Sequence, residues 1–315
     1  MSLPEFVSPK QLARAIGVSE SSVKRWCDQG LLETGRTAGG HRRLQLPQVL
    51  DFLRARQFAV VDPTVLGLPA ACGQGERTAD RARERLLAAL IEGDDLRSRQ
   101  ILFDLYLAGR SILELCDALL TPVLHEIGAR WDCGSLAVYQ ERRACEAVIR
   151  VLHELRLLLT EPLPGAPTAI GGTGPDDFYS VPTTMVELIL RAGGWRANSL
   201  GSGLPFDTLV QAIEHVRPQL FWLSVTHLGP ADRFLEGFTR LSNAAAALKI
   251  PFVVGGQALS EEIRSRLRFT AFCDTLGHLD ATSRALRETL GLAKMSMEHS
   301  APAGARLIAL PDGLS

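Results

Sequence analysis

Apolar positions change period three times along this 315-residue chain. Leu12, Ala13, Ile16 and Val18 fall on one face of a short helical run opening at Ser8-Pro9, and Val23 and Trp26 lie on the inner side of a second run, Glu20 to Asp28. Ser8 and Ser19 stand where helix N-caps are wanted, Pro9 suits a first turn, and Gly17 ends the first run. Two short helices with a glycine in the intervening turn form the helix-turn-helix pattern. Beyond it Gly39-Gly40 reads as the tip of a hairpin wing, and Pro47 to Arg56 as a third helix.

Residues 59–78 are rich in Pro, Gly and Ala without sustained period and read as a linker. From 79 to 161 the period is helical throughout, with helices near 79–92, 95–107, 111–130 and 136–160; Leu86, Leu87, Leu90 and Ile91 form one apolar face, and Val148, Leu152, Leu155 and Leu159 another. Helices of this number and length make a four-helix bundle. From Thr168 short apolar runs alternate with amphipathic segments: strands at 168–172, 196–200, 220–226, 252–256 and 271–275, and helices near 182–193, 206–216, 230–248, 258–267 and 279–291. Five βα units of this spacing predict a parallel sheet covered on both faces. The expected fold class is α plus α/β multidomain. It comprises a winged helix-turn-helix (1–58), the linker, the bundle, a Rossmann-like (flavodoxin-like) five-stranded parallel sheet (162–292) and a flexible tail (293–315).

Charge sharpens this division. Residues 1–56 hold nine Lys/Arg against five Asp/Glu, and the remainder 25 against 30, so the positive excess sits in the head, as phosphate binding requires. Ser21, Ser22, Lys24 and Arg25 face outward from the second helix, and Arg36, His41, Arg42 and Arg43 flank the Gly-Gly tip; hydroxyls and long cations suit base edges and backbone phosphates. Trp26 is expected in the core. The run from Gly17 to Leu53 resembles the DNA-binding domain of the MerR family, which implies double-stranded DNA as partner. Two or more heads are implied, because one head of this size buries too little duplex for tight specific binding. The six cysteines (Cys27, Cys72, Cys116, Cys133, Cys145, Cys273) form no CxxC pair, the N-terminus has no signal-peptide pattern, and no apolar run reaches the roughly 20 residues of a spanning helix. A cytoplasmic protein is expected.

Trp131-Asp132-Cys133-Gly134, with Glu141-Arg142 further on, resembles the capping helices of CarH/LitR-type cobalamin-binding regulators, in which the Trp covers the corrin ring. The helix Thr184–Trp195, Ser224-Val225-Thr226 and Gly255-Gly256 are similar to the cobalamin-binding domain of corrinoid proteins. In that family small residues in these loops admit the nucleotide tail closely. The resemblance implies cobalamin as cofactor and Trp131, Glu141, Arg142, Asp177, Tyr179, Ser224, Thr226, His227, Gly255 and Gly256 as site residues. The chain departs from the pattern where imidazoles belong. Asp177-Phe178-Tyr179-Ser180-Val181-Pro182 stands for Asp-x-His-x-x-Gly, and Asp132 and Arg142 occupy two further histidine positions. A phenol is a poor cobalt ligand at neutral pH, and Pro182 fixes φ so that the loop must trace differently. Three such losses imply a pocket repurposed or emptied.

His227 and His278 lie near strand ends and are candidate replacement ligands for cobalt or haem iron, or plain loop histidines; the metal is unknown. No nucleophile elbow, Walker loop or paired zinc histidines occur, so catalysis is not expected. Three functions stay open: a DNA-binding regulator sensing a corrinoid or other small molecule, a ligand-independent regulator whose C-terminal half is an interaction and oligomerisation scaffold, and a corrinoid carrier with an appended head.

Overall fold

The computed structural model describes residues 3–69 and 79–300. The head contains β1 (Phe6–Val7), α1 (Pro9–Ile16), α2 (Glu20–Asp28), β2 (Gly35–Arg36), β3 (Arg42–Gln45) and α3 (Leu46–Ala55), with β3 antiparallel to β1 on one side and to β2 on the other. Ser8 accepts the Gln11 N–H at 3.2 Å while the Gln11 side chain accepts the Ser8 N–H at 2.8 Å, a reciprocal cap that starts α1. Ser19 starts α2 by accepting the Ser22 N–H at 3.2 Å, and Gly17, at φ 70°, makes the left-handed turn between the helices. Trp26 packs between Phe52 and Phe58, 5.3 Å from each ring, in the core as expected. β1, two residues long, shows no alternation from which sequence reading predicts a strand.

Residues 59–69, expected as the start of a linker, are folded onto the head. Pro63–Leu66 forms a 3-10 turn, Val60, Leu66 and Leu68 are buried, and the N–H groups of Val61 and Asp62 both donate to the Ala15 carbonyl, at 2.7 and 3.1 Å. Burial of apolar groups in an irregular segment leaves no period. The rest of the expected linker, 70–78, and the end of the expected tail, 301–315, lie outside the described residues.

The helical block contains α4 (Ala79–Glu92), α5 (Asp95–Leu107), a π-helical segment Glu114–Leu120 continuing into α6 (Thr121–Asp132), and α7 (Val138–Leu157). The rod expected at 111–130 thus has one wide turn. Pro122 causes it, lacking an N–H and crowding the carbonyl four residues back; the Thr121 N–H reaches five residues back to Cys116, whose oxygen also takes the Thr121 hydroxyl at 2.9 Å. Head and block share one apolar core. At their junction the Arg54 guanidinium lies 4.0 Å over the Tyr106 ring.

In the α/β part, β4 (Thr168–Thr173), β5 (Arg196–Ser199), β6 (Leu220–Ser224), β7 (Phe252–Gly255) and β8 (Ala271–Cys273) form a parallel sheet in the order β5-β4-β6-β7-β8. The connecting helices are α8 (Ser180–Ala192), α9 (Phe206–Val216), α10 (Ala231–Ala247) and α11 (Glu261–Arg264), and α12 (Leu276–Ser300) follows β8. β6 is buried end to end: Phe221 and Leu223 join the core of Phe206, Phe234 and Phe238, while Leu220 and Trp222 join that of Met185 and Leu188. Period-2 alternation sends successive side chains to opposite faces, and both are covered. Pro182, expected to redirect its loop, sits in the first turn of α8, where a missing N–H is tolerated. The helix expected at 258–267 shrinks to α11, because buried Leu259 and Leu267 belong to flanking loops. Part of the expected tail, 293–300, is helical. Among the described residues no helix is long and apolar enough to cross a membrane.

Candidate functional site

Two surfaces concentrate the sequence-derived candidates. On the head, Ser21, Lys24, Arg25, Arg36, His41 and Arg43 are exposed on α2 and the hairpin. Lys24 pairs with Glu20 one turn earlier, at 2.8 Å. Arg25, Arg36 and Arg43 have no acidic partner among the described residues. Ser22 and Arg42 are engaged internally. The Ser22 hydroxyl lies 2.8 Å from that of Ser19, within the cap of α2. Arg42, half-buried, donates to Asp28 Oδ1 at 2.6 Å and to the Lys24 carbonyl at 3.1 Å. This arginine, expected on a phosphate, instead ties the hairpin to α2.

The second surface is a cavity of about 830 Å³ between α6 and α7 above and the carboxyl ends of β6, β7 and β8 below. In a sheet of this order the strand-end crevice beside the reversal of strand order is where ligands bind. Trp131, Glu141, Tyr179, Ser224, Thr226, His227, Gly255 and Gly256 all line it, as does Asp132. Trp131, 40 % exposed, is large, apolar and unpacked on its cavity side. Glu141 is buried, with Cys145 Sγ donating to it at 3.3 Å and Arg142 Nε 3.4 Å away; burial pushes the Cys145 thiol up to about 12.

Two candidates stand behind the wall. The Arg142 guanidinium covers the Tyr179 ring at 5.0 Å. Asp177, 1 % exposed, accepts the Thr226 N–H at 2.6 Å and the Tyr179 N–H at 3.2 Å. Burial raises its pKa, against the lowering effect of these backbone donors. Its carboxylate therefore pins the loop after β4 to the loop after β6. His278 lies outside the lining, exposed, with Nδ1 3.9 Å from Asp274.

The glycines answer to the protein's own packing. A Cβ on Gly256, at φ 129°, would meet the Val225 carbonyl at 2.0 Å, and one on Gly255 would meet the Cys273 carbonyl at 2.8 Å. Close approach of the protein's own backbone demands them.

The structure adds His125, Asp117 and Cys145 to the lining. A signal for His125 exists in the helical period, since Thr121, Leu124, His125, Gly128, Trp131 and Asp132 share one face of α6. Two imidazoles, His125 and His227, line the cavity. Among the described residues no three His, Cys, Asp or Glu side chains converge on a common metal site.

A helical cap over the open end of a parallel sheet defines the class, and comparison with known proteins gives it a context. Residues 82–156 match the B12 binding domain family. The chain is 29 % identical over 264 residues to the HTH-type transcriptional repressor CarH of Myxococcus xanthus (78 % of this chain, 87 % of that protein). It is 25 % identical over 269 residues to the repressor CarA of the same organism (81 % and 88 %). The fold is similar to that of the Methanosarcina barkeri monomethylamine corrinoid protein, with a TM-score of 0.57 and 15 % identity over 66 % of this chain and all of that one. Residues 82–156 thus resemble a B12 binding domain, and the chain is similar over most of its length to transcriptional repressors.

Proposed function

We propose that this chain is a non-catalytic transcriptional regulator in which a corrinoid held in the strand-end cavity governs a winged helix-turn-helix head of MerR type. The observation that carries this reading is the cavity itself, with Trp131 facing it from the cap and the short loops of β6 and β7 from below. The lining fits a flat, largely apolar macrocycle: Leu124, Ile127, Val181, Met185 and Leu279 supply apolar wall. When bound, a corrinoid would supply a cobalt ion open to protein donors and a visible absorption spectrum. Trp131 would lie against the ring, and the donors lining the cavity include His125, His227 and Tyr179. Asp177 holds the two lower loops in register through its backbone bonds.

On the head, α2 would enter the major groove with Ser21, Lys24 and Arg25 towards base edges, while Arg36, His41 and Arg43 lie along phosphate. Ser22 and Arg42 shape that face from within. The helical block serves as a four-helix bundle between head and sheet, and two or more copies act together in the cytoplasm on paired half-sites.

An absorbance titration of the full chain with hydroxocobalamin tests the cavity, and selection of duplexes from a random-sequence pool tests the head. A saturable shift of the corrin bands and an enriched duplex support the proposal. An unchanged free-cofactor spectrum with an enriched duplex leaves the scaffold reading, in which the C-terminal half works without ligand.

A further inference from the structure

We infer that the π-helical segment Glu114–Leu120 is the link through which the cavity sets the seat of the head; the inference rests on the reading of cavity and head proposed above. One end of this route, at Asp117 in the middle of the segment, belongs to the cavity. Asp117 lines it, and its Oδ1 accepts the N–H of Leu276, the first residue of α12 and itself part of the lining, at 3.2 Å. The other end belongs to the head's seat. Glu114 accepts the Ser111 N–H at 2.8 Å and the Ser111 hydroxyl at 2.9 Å through one oxygen, and Arg110 Nη1 at 2.9 Å through the other. The Arg110 carbonyl accepts Arg54 Nη2 of α3 at 2.9 Å. Arg54 in turn lies over Tyr106 and 3.7 Å from Asp51, which takes the Thr160 hydroxyl at 2.6 Å. From cavity wall to head the route is one helical turn with a hydrogen bond at either end.

The wide turn makes this route a switch instead of a strut. A π turn holds one residue more than an α turn, and a continuous helix accommodates it at any of several neighbouring places. Moving it by one residue turns the residue between its old and new places by about 100° about the helix axis, since an α-helix advances 3.6 residues per turn, while the chain on either side keeps its mutual orientation. Pro122 fixes the need for a wide turn but not its upstream limit. The bonds of Asp117 to Leu276 and of Glu114 to Ser111 and Arg110 hold it where it stands. A ligand that draws Asp117 away from Leu276 releases one of these anchors. Glu114 then swings off Ser111 and Arg110, the corner at 110–111 loosens, and Arg54 loses its carbonyl. The shared apolar core keeps the head attached but alters its tilt. This is the discrete two-position element that coupling between distant sites requires.

The test uses the full chain, hydroxocobalamin as probe and a selected duplex. In the wild type, hydroxocobalamin is expected to change amide exchange across 110–120 and α3, and to change duplex affinity by a factor in the range of about 5–150. Arg54→Ala should keep the exchange response at 114–120 and a ligand-free duplex affinity within about twofold of wild type, while the ligand's effect on affinity falls to about unity. Glu114→Gln should weaken the effect partway, because it frees Arg110 without cutting the α3 contact. An Arg54→Ala variant with the full ligand effect overturns the inference. So does a wild type that binds hydroxocobalamin with unchanged exchange across 110–120. Failure to bind hydroxocobalamin shows in the absorbance titration before duplex is added, and overturns the cofactor reading and this link together.

Discussion

Replacing Arg43 by Ala and, separately, Arg42 by Ala should weaken duplex binding in two distinguishable ways. Arg43 is exposed beside the hairpin tip without an acidic partner among the described residues, so on the proposed reading its loss removes one phosphate contact. Each such contact contributes about 0.9 to the slope of log affinity against log salt, so between roughly 50 and 200 mM salt one contact accounts for about a 3.5-fold change. Arg43→Ala should flatten the salt dependence by that factor on every sequence tested. Arg42 is already occupied, bonded to Asp28 at 2.6 Å and to the Lys24 carbonyl at 3.1 Å. A partly exposed ion pair contributes about 0.2–1 kcal/mol and a typical hydrogen bond to a partly exposed carbonyl about 0.5–1.5 kcal/mol. Arg42→Ala should therefore cost about 1–2 kcal/mol in holding the hairpin on α2, read as weaker specific binding with an unchanged slope. Fluorescence anisotropy over a salt series, with a melting curve for each variant, separates the effects. An Arg42→Ala slope reduced as much as that of Arg43→Ala would refute the clamp and restore Arg42 to the phosphate-contacting set.

Gly256→Ala should destabilise the protein severely, by several kcal/mol, because its Cβ would lie 2.0 Å from the Val225 carbonyl at a φ of 129°; a denaturant midpoint close to wild type would contradict that packing. Thr183→Val leaves the buried Trp222 indole N–H, now 2.9 Å from Thr183 Oγ1, without an acceptor, at a cost of about 1–3 kcal/mol in urea unfolding. Asp177 has a raised folded pKa, so the folded state binds its proton more tightly than the unfolded state. Its contribution to stability is complete below the ordinary value of 3.8 and is lost as pH rises through the folded value. Asp177→Asn should lack that segment of the stability–pH curve, and equal curves would show the carboxyl to be solvated. Trp131→Ala should weaken hydroxocobalamin binding on the order of tenfold, about 1.4 kcal/mol, in the absorbance titration.

The parallel sheet was legible because β6 reads Leu-Phe-Trp-Leu-Ser, an uninterrupted apolar run that suits a strand covered on both faces. The caps at Ser8 and Ser19 were equally legible, since a capping residue works on its own next few residues. The candidate cavity was legible in outline, as strand ends in such a sheet lie on one edge wherever the helices run. His125 belongs to no motif and shows in the sequence only through the face it shares with Leu124, Gly128 and Trp131.

Local sequence determined the elements, their order and the basic bias of the head, all of which depend on residues within a turn or two of one another. Tertiary structure alone decided which charges are spent internally: Arg42 on Asp28, 14 residues away, Arg54 on the Arg110 carbonyl, 56 residues away, and Asp177 on the Thr226 N–H, 49 residues away. It also decided that residues 59–69 belong to the head and that the glycines at the end of β7 answer to backbone crowding. The physical reason is the same in each case. A side chain's periodic position reveals the face it occupies, but its hydrogen-bond partner is supplied by whatever the folded chain brings opposite, and that carries no signature in the neighbouring sequence.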